Sequence, residues 1–168
     1  DELRIGVIEG DIETERDADR IRAKGVPVVQ LTTGGACHLD AAMTHKGFHQ
    51  LQKEPGGDKL DLLFIETVGN LVCPPSFDLG EHYRIVLVSV PEGPDKPVKY
   101  PKAFTSSDTF LITKTDLLEH FDFPVDEAKA EALHLNPRLT IFDFSSKTGE
   151  NFSTWLDYLR ELVANSKK

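Results

Sequence analysis

Six short apolar runs recur along the chain: Leu3–Glu9, Pro27–Leu31, Leu60–Glu66, Arg84–Val90, Thr109–Thr113 and Leu139–Phe144. Most are near-continuous in Val, Ile, Leu and Phe, without the strict alternation of a half-exposed strand. Such runs predict strands buried on both faces, hence an α/β fold with a mostly parallel sheet and helices on both sides of it. Phe142-Asp143-Phe144 alternates more and is expected nearer a sheet edge. Between the runs the spacing changes to a helical period. Glu13–Lys24 reads as a surface helix stopped by Gly25 and followed by Pro27. Leu39–Lys53 reads as a second helix, closed by the loop Glu54-Pro55-Gly56-Gly57-Asp58. Pro124–Leu135 forms a third, ending before Pro137. In the last, Phe152, Trp155, Leu156, Leu159, Leu162 and Val163 make one apolar stripe, which assigns Trp155 to the core.

The 168 residues suffice for one domain, and no repeat or long linker divides residues 1–168. The net charge of −9 argues against binding to nucleic acid or to an anionic membrane, since both need a basic face. The apolar runs are far too short for a membrane span, and no signal peptide is visible. Two cysteines, Cys37 and Cys73, are too few for a disulfide framework, although one bridge is compatible with them. Without an export signal the expected compartment is the reducing cytoplasm, where such cysteines more often bind metal or catalyse. The chain starts at Asp1 and enters a strand within two residues, so it is expected to be a fragment or processed form of a longer domain.

In parallel α/β sheets, ligands bind beyond the C-terminal ends of the strands. At one such end stands Thr113-Lys114-Thr115-Asp116, which resembles the Asn-Lys-x-Asp guanine motif of GTPases, with Thr in place of Asn. The carboxylate of Asp116 can accept hydrogen bonds from N1–H and the 2-amino group of guanine, a donor pair that adenine lacks. The stem of Lys114 can lie over the base. After the next run, Ser145-Ser146-Lys147 resembles the Ser-Ala-Lys loop whose backbone amide meets guanine O6. Upstream, Glu66-Thr67-Val68-Gly69 resembles the Asp-x-x-Gly segment. Glu66 suits a Mg²⁺-bound water, and Gly69 lets its backbone N–H approach a γ-phosphate. Asp11 is a second candidate for Mg²⁺ or for orienting the attacking water. Its competing reading is the N-cap of the helix that follows.

A third constellation joins Thr32-Thr33-Gly34-Gly35-Ala36-Cys37-His38 to Cys73. Two thiolates and an imidazole suit Zn²⁺ or Ni²⁺, and three ligands leave a tetrahedral site open to water or a second subunit. A helix beginning about Leu39 would favour the thiolate of Cys37 through its dipole. By spacing alone, structural cysteines and a capping histidine fit as well. His45 and His49, four apart on the second helix, could also clamp a metal, but a solvated helix face explains them more simply.

Together these stretches resemble the HypB family, GTPases that incorporate nickel into hydrogenase. The resemblance runs through Val7-Ile8-Glu9-Gly10-Asp11-Ile12, Thr32 to Leu39, Ile65 to Pro74, and Val90-Pro91-Glu92-Gly93 with Lys99-Tyr100-Pro101. It implies a P-loop NTPase-like fold and a GTP-dependent nickel metallochaperone working with GTP/GDP, Mg²⁺ and Ni²⁺ or Zn²⁺. It places Cys37, His38 and Cys73 on the metal, at a nucleotide-dependent homodimer interface. The implied partners are a small zinc-containing nickel chaperone and the hydrogenase large subunit. The Gly-x-x-x-x-Gly-Lys-Ser/Thr phosphate loop, which precedes the first strand in that family, is not among these residues. That leaves open a metal-binding interaction module without catalysis.

Overall fold

The computed structural model describes residues 3–13 and 15–166. Its contacts gather into two compact units, Asp1–Gly80 and Glu81–Lys168.

In the first unit the strands β1 (Ile5–Asp11), β2 (Val28–Thr32) and β3 (Leu62–Glu66) pair in the order β2-β1-β3. Both ladders are parallel, as the continuous apolar runs predict. The helices α1 (Arg16–Arg22) and α2 (Ala41–Leu51) cover opposite faces. Ala18 of α1 packs with Val7 and Val28, while Leu39 and Leu51 pack with Ile8 and Leu31. Close approach of α2 explains a glycine inside a helix, which costs about 1 kcal/mol relative to alanine. A Cβ on Gly47 would meet Leu31 Cδ1 at 2.9 Å and Ile8 Cγ2 at 3.3 Å. The helix expected over Glu13–Lys24 is shorter, Arg16–Arg22, and Thr14 lies outside the described residues. Gly25 does end that segment, with a φ of +75°.

In the second unit β4 (Ile85–Ser89), β5 (Thr109–Thr113) and β6 (Thr140–Phe144) pair in the order β4-β5-β6, again wholly parallel. This places Phe142-Asp143-Phe144 on an edge strand of that sheet. Among the described residues the unit also holds four α-helices: α3 (Lys96–Lys99), α4 (Pro101–Thr105), α5 (Val125–Leu135) and α6 (Phe152–Ser166). Phe104 of α4 meets Phe110 of β5 edge to face, with ring centroids 5.0 Å apart. From α6, Trp155 and Tyr158 pack against Phe142 on the other face.

One buried side chain ties α5 to α4. Asn136 Nδ2 donates to the carbonyls of Phe104 at 3.1 Å and Ser107 at 2.9 Å. Its Oδ1 accepts from Arg138 N at 3.1 Å. Asn136→Ala leaves two carbonyls without their donor, and a buried unmet polar group costs about 1–3 kcal/mol. Urea unfolding of this variant is expected to show a loss of about 2 kcal/mol. An unchanged midpoint would show that the amide does not hold the two helices.

Candidate nucleotide and metal sites

At the end of β5 the chain turns sharply. Lys114 takes left-handed angles, φ 60° and ψ 41°. A side chain in that region carries backbone strain of about 1 kcal/mol, typical of loops shaped for a ligand. The turn leads into a 3-10 segment, Thr115–His120, which carries Asp116 at its start. Ser145, at the end of β6, is fully buried. Its Oγ donates to Asp116 Oδ1 at 2.6 Å and accepts from the backbone N–H groups of Lys147 and Thr148, each at 3.2 Å. The Ser145 hydroxyl therefore holds two loops, 29 residues apart, in a fixed relation. Lys147 Nζ lies 4.0 Å from Asp116 Oδ2 on an exposed side chain, a weak ion pair. Thr113 ends β5, and Ser146 is exposed on the loop. The two sequence-predicted purine segments thus meet around one oriented carboxylate.

The acidic rim lies in the first unit. Glu9 of β1 stands in register with Glu66 of β3 and with Gln30 of β2, on the face covered by α1. Glu9 is 4% exposed, and its Oε2 is buried without a hydrogen-bond partner. Desolvation first, then the charges of Glu66, Asp17 and Asp11, push its carboxyl up to about 7. Glu66 rises too, through desolvation and then Asp17. Asp11 closes β1, and its Oδ1 accepts from Ile12 N at 2.7 Å. The helix-cap reading of Asp11 does not hold, because α1 starts only at Arg16, after Glu15. Gly69 lies on the exposed loop after β3, where a Cβ would meet nothing within 4 Å.

Cys37 and Cys73 are brought together, joined as a disulfide with Cα atoms 6.1 Å apart. This differs from the free thiolates expected of a reducing compartment. His38 Nδ1 lies 3.9 Å from Cys37 Sγ, and its ring stacks on Phe77 with centroids 3.6 Å apart. The three predicted ligands are therefore neighbours. Among the described residues no group of three His, Cys, Asp or Glu side chains stands ready to hold a metal, since the bridge uses both sulfurs. The helix-dipole expectation for Cys37 needs correction. α2 starts at Ala41, and the Asp40 carboxylate caps it by accepting from Met43 N at 2.8 Å.

Asn70 organises this loop, a role that sequence reasoning missed. Its Nδ2 donates to the Cys37 carbonyl at 2.8 Å. Its Oδ1 accepts from Val72 N at 3.0 Å and Cys73 N at 2.9 Å. One amide thus folds the 70–73 turn and fastens it to the cysteine 33 residues upstream. The signal available was an Asn directly after a loop glycine, a common turn residue with many uses.

Comparison with known proteins places these features. The CobW/HypB/UreG nucleotide-binding domain family matches residues 1–143. The crystal structure of HypB from Helicobacter pylori in complex with nickel is similar with a TM-score of 0.93 and 45% identity, over 98% of this chain and 76% of that one. The chain belongs to the HypB family. Hydrogenase maturation factor HypB from Azotobacter chroococcum mcd 1 is 50% identical over 155 residues, 92% of this chain and 50% of the relative. The hydrogenase/urease maturation factor HypB from Helicobacter pylori strain J99 is 46% identical over 160 residues, 95% of this chain and 66% of the relative. The chain thus spans half to two thirds of the length of these HypB relatives. The α/β architecture predicted from the apolar runs is the HypB fold. No described helix is long and apolar enough to cross a membrane.

Proposed function

We propose that the protein is a GTP-dependent nickel metallochaperone that serves hydrogenase maturation. One observation carries this reading: Cys37, His38 and Cys73 converge in a chain whose family includes a nickel-complexed member. With the bridge reduced, two thiolates and an imidazole form a soft, open site for Ni²⁺ as cargo. In this reading a second copy of the chain completes the coordination, and a small zinc-containing nickel chaperone and the hydrogenase large subunit are donor and acceptor.

The nucleotide half rests on Asp116, Ser145 and their loops, with Thr113, Lys114, Ser146 and Lys147 around the base. A hard divalent cation fits the acidic rim of the first unit. The orphaned Oε2 of Glu9 and the raised carboxyls there are the mark of negative charge without a counter-ion. Asp11 and Glu66 would hold Mg²⁺ or its waters, and the ion would offset phosphate charge. Gly69 stands four residues before Cys73. A γ-phosphate held by its N–H would bias the same loop that Asn70 fastens to Cys37, so that hydrolysis alters metal affinity.

The test is Ni²⁺ binding by the phosphine-reduced protein, read from sulfur-to-nickel charge-transfer absorption. Cys37→Ala and Cys73→Ala are each expected to abolish that band at one equivalent of Ni²⁺. A band that persists in both variants would refute the cysteine site.

A further inference from the structure

His45 and His49 are exposed on α2 and face each other one turn apart, with their Nε2 atoms 3.2 Å apart. At metal–nitrogen bonds of about 2.05 Å, that separation subtends about 100° at a shared ion. This lies between the right angle of octahedral coordination and the tetrahedral angle. The rings stand nearly perpendicular, at 85°, with centroids 4.4 Å apart.

The tautomer agrees. His49 Nδ1 lies 3.1 Å from Gln52 Oε1. An amide oxygen only accepts, so Nδ1 carries the hydrogen and Nε2 carries the lone pair. An outer hydrogen bond of this kind orients ligating imidazoles and raises their basicity. In that tautomer His49 Nε2 can accept from an Nε2–H of His45, 3.2 Å away. The pair sits within the regular helix Ala41–Leu51, which holds the two Cβ atoms at a fixed spacing.

We propose that His45 and His49 form a second transition-metal site, a bis-imidazole chelate for Ni²⁺ or Zn²⁺ with water in the remaining positions and Gln52 as its outer support. The site is separate from Cys37, His38 and Cys73 and has a different chemistry. Imidazoles bind divalent ions whether or not thiols are oxidised, whereas the Cys37–Cys73 bridge spends both thiolates. The histidine pair therefore holds an ion in the oxidised protein, when the cysteine site cannot.

The test uses the untagged chain with its disulfide formed, titrated calorimetrically with NiCl₂ and with ZnCl₂. One ion per chain is expected, and X-ray absorption should show two imidazoles in its first coordination shell. His45→Gln and His49→Gln are each expected to weaken binding at least tenfold, and Gln52→Ala several-fold, with helix content unchanged by circular dichroism. No binding by the oxidised protein would overturn the proposal. So would undiminished binding in either histidine variant. Because the cysteines are bridged throughout, failure here leaves the nickel reading of the cysteine site standing, and failure there leaves this one.

Discussion

Asp116→Asn is expected to transfer nucleotide preference from guanine to xanthine, with the guanine preference falling by about 10²–10³-fold. The magnitude follows from the bonds that change. A carboxylate accepts from N1–H and the 2-amino group together, and hydrogen bonds to a charged group contribute about 1.5–3 kcal/mol each. Asparagine presents one acceptor and one donor, so it meets a guanine amine with an amide N–H and loses at least one bond outright. Xanthine, with a carbonyl at position 2, accepts from that amide. The geometry makes the exchange clean, because Ser145 Oγ holds Asp116 Oδ1 at 2.6 Å and can hold an amide oxygen equally well. Displacement of a fluorescent guanosine nucleotide by GDP, XDP and ADP measures the preference directly. A ranking that does not change with the substitution would remove guanine recognition from this loop, and with it the GTP half of the proposed function.

Much of this arrangement is legible in the sequence, for identifiable reasons. The six strands announce themselves as continuous apolar runs, because helices pack on both faces of each sheet. The predicted run Thr109–Thr113 coincides with β5, and the other five start or end within a few residues of their strands. α3 and α4 are hidden, since four and five residues are too few to show a helical period. Their only local sign is a proline at the start of each, Pro97 and Pro101. Asp116 and Ser145 are readable because each lies just after an apolar run, and strand ends in parallel sheets converge. The Cys37–Cys73 bridge is not readable. It depends on Asn70 folding one loop onto another, a contact that spacing along the chain does not encode. Asp40 displaced Cys37 from the helix terminus in the same unseen way, by capping α2 itself. Glu9 belongs to the apolar run Leu3–Glu9, and the packing of α1 over its face of the sheet encloses it.

That enclosure makes Glu9 the position where a single isosteric change alters the pH dependence of stability most. Its folded value, about 7, stands above the ordinary 4.5. For a raised acid, the native state prefers the protonated form. The favourable contribution is therefore complete below pH 4.5, declines as pH rises, and is gone above about 7. At full weight the shift corresponds to about 3 kcal/mol, and water reaching the rim of the sheet reduces this to about 2 kcal/mol. Glu9→Gln keeps the shape and removes the charge. The variant is expected to match the parent near pH 4.5 and to exceed it by about 2 kcal/mol at pH 8 in chelator-treated protein. Urea unfolding across that range measures the difference. A constant gap between the two proteins at all pH values would mean that Glu9 does not titrate there. The sign also explains why a residue so costly at neutral pH fits the proposed function. Glu66, Asp17 and Asp11 crowd negative charge around an oxygen with no partner, a strain that a bound divalent cation relieves. Added Mg²⁺ is therefore expected to stabilise the parent more than Glu9→Gln and to narrow the gap between them at pH 8.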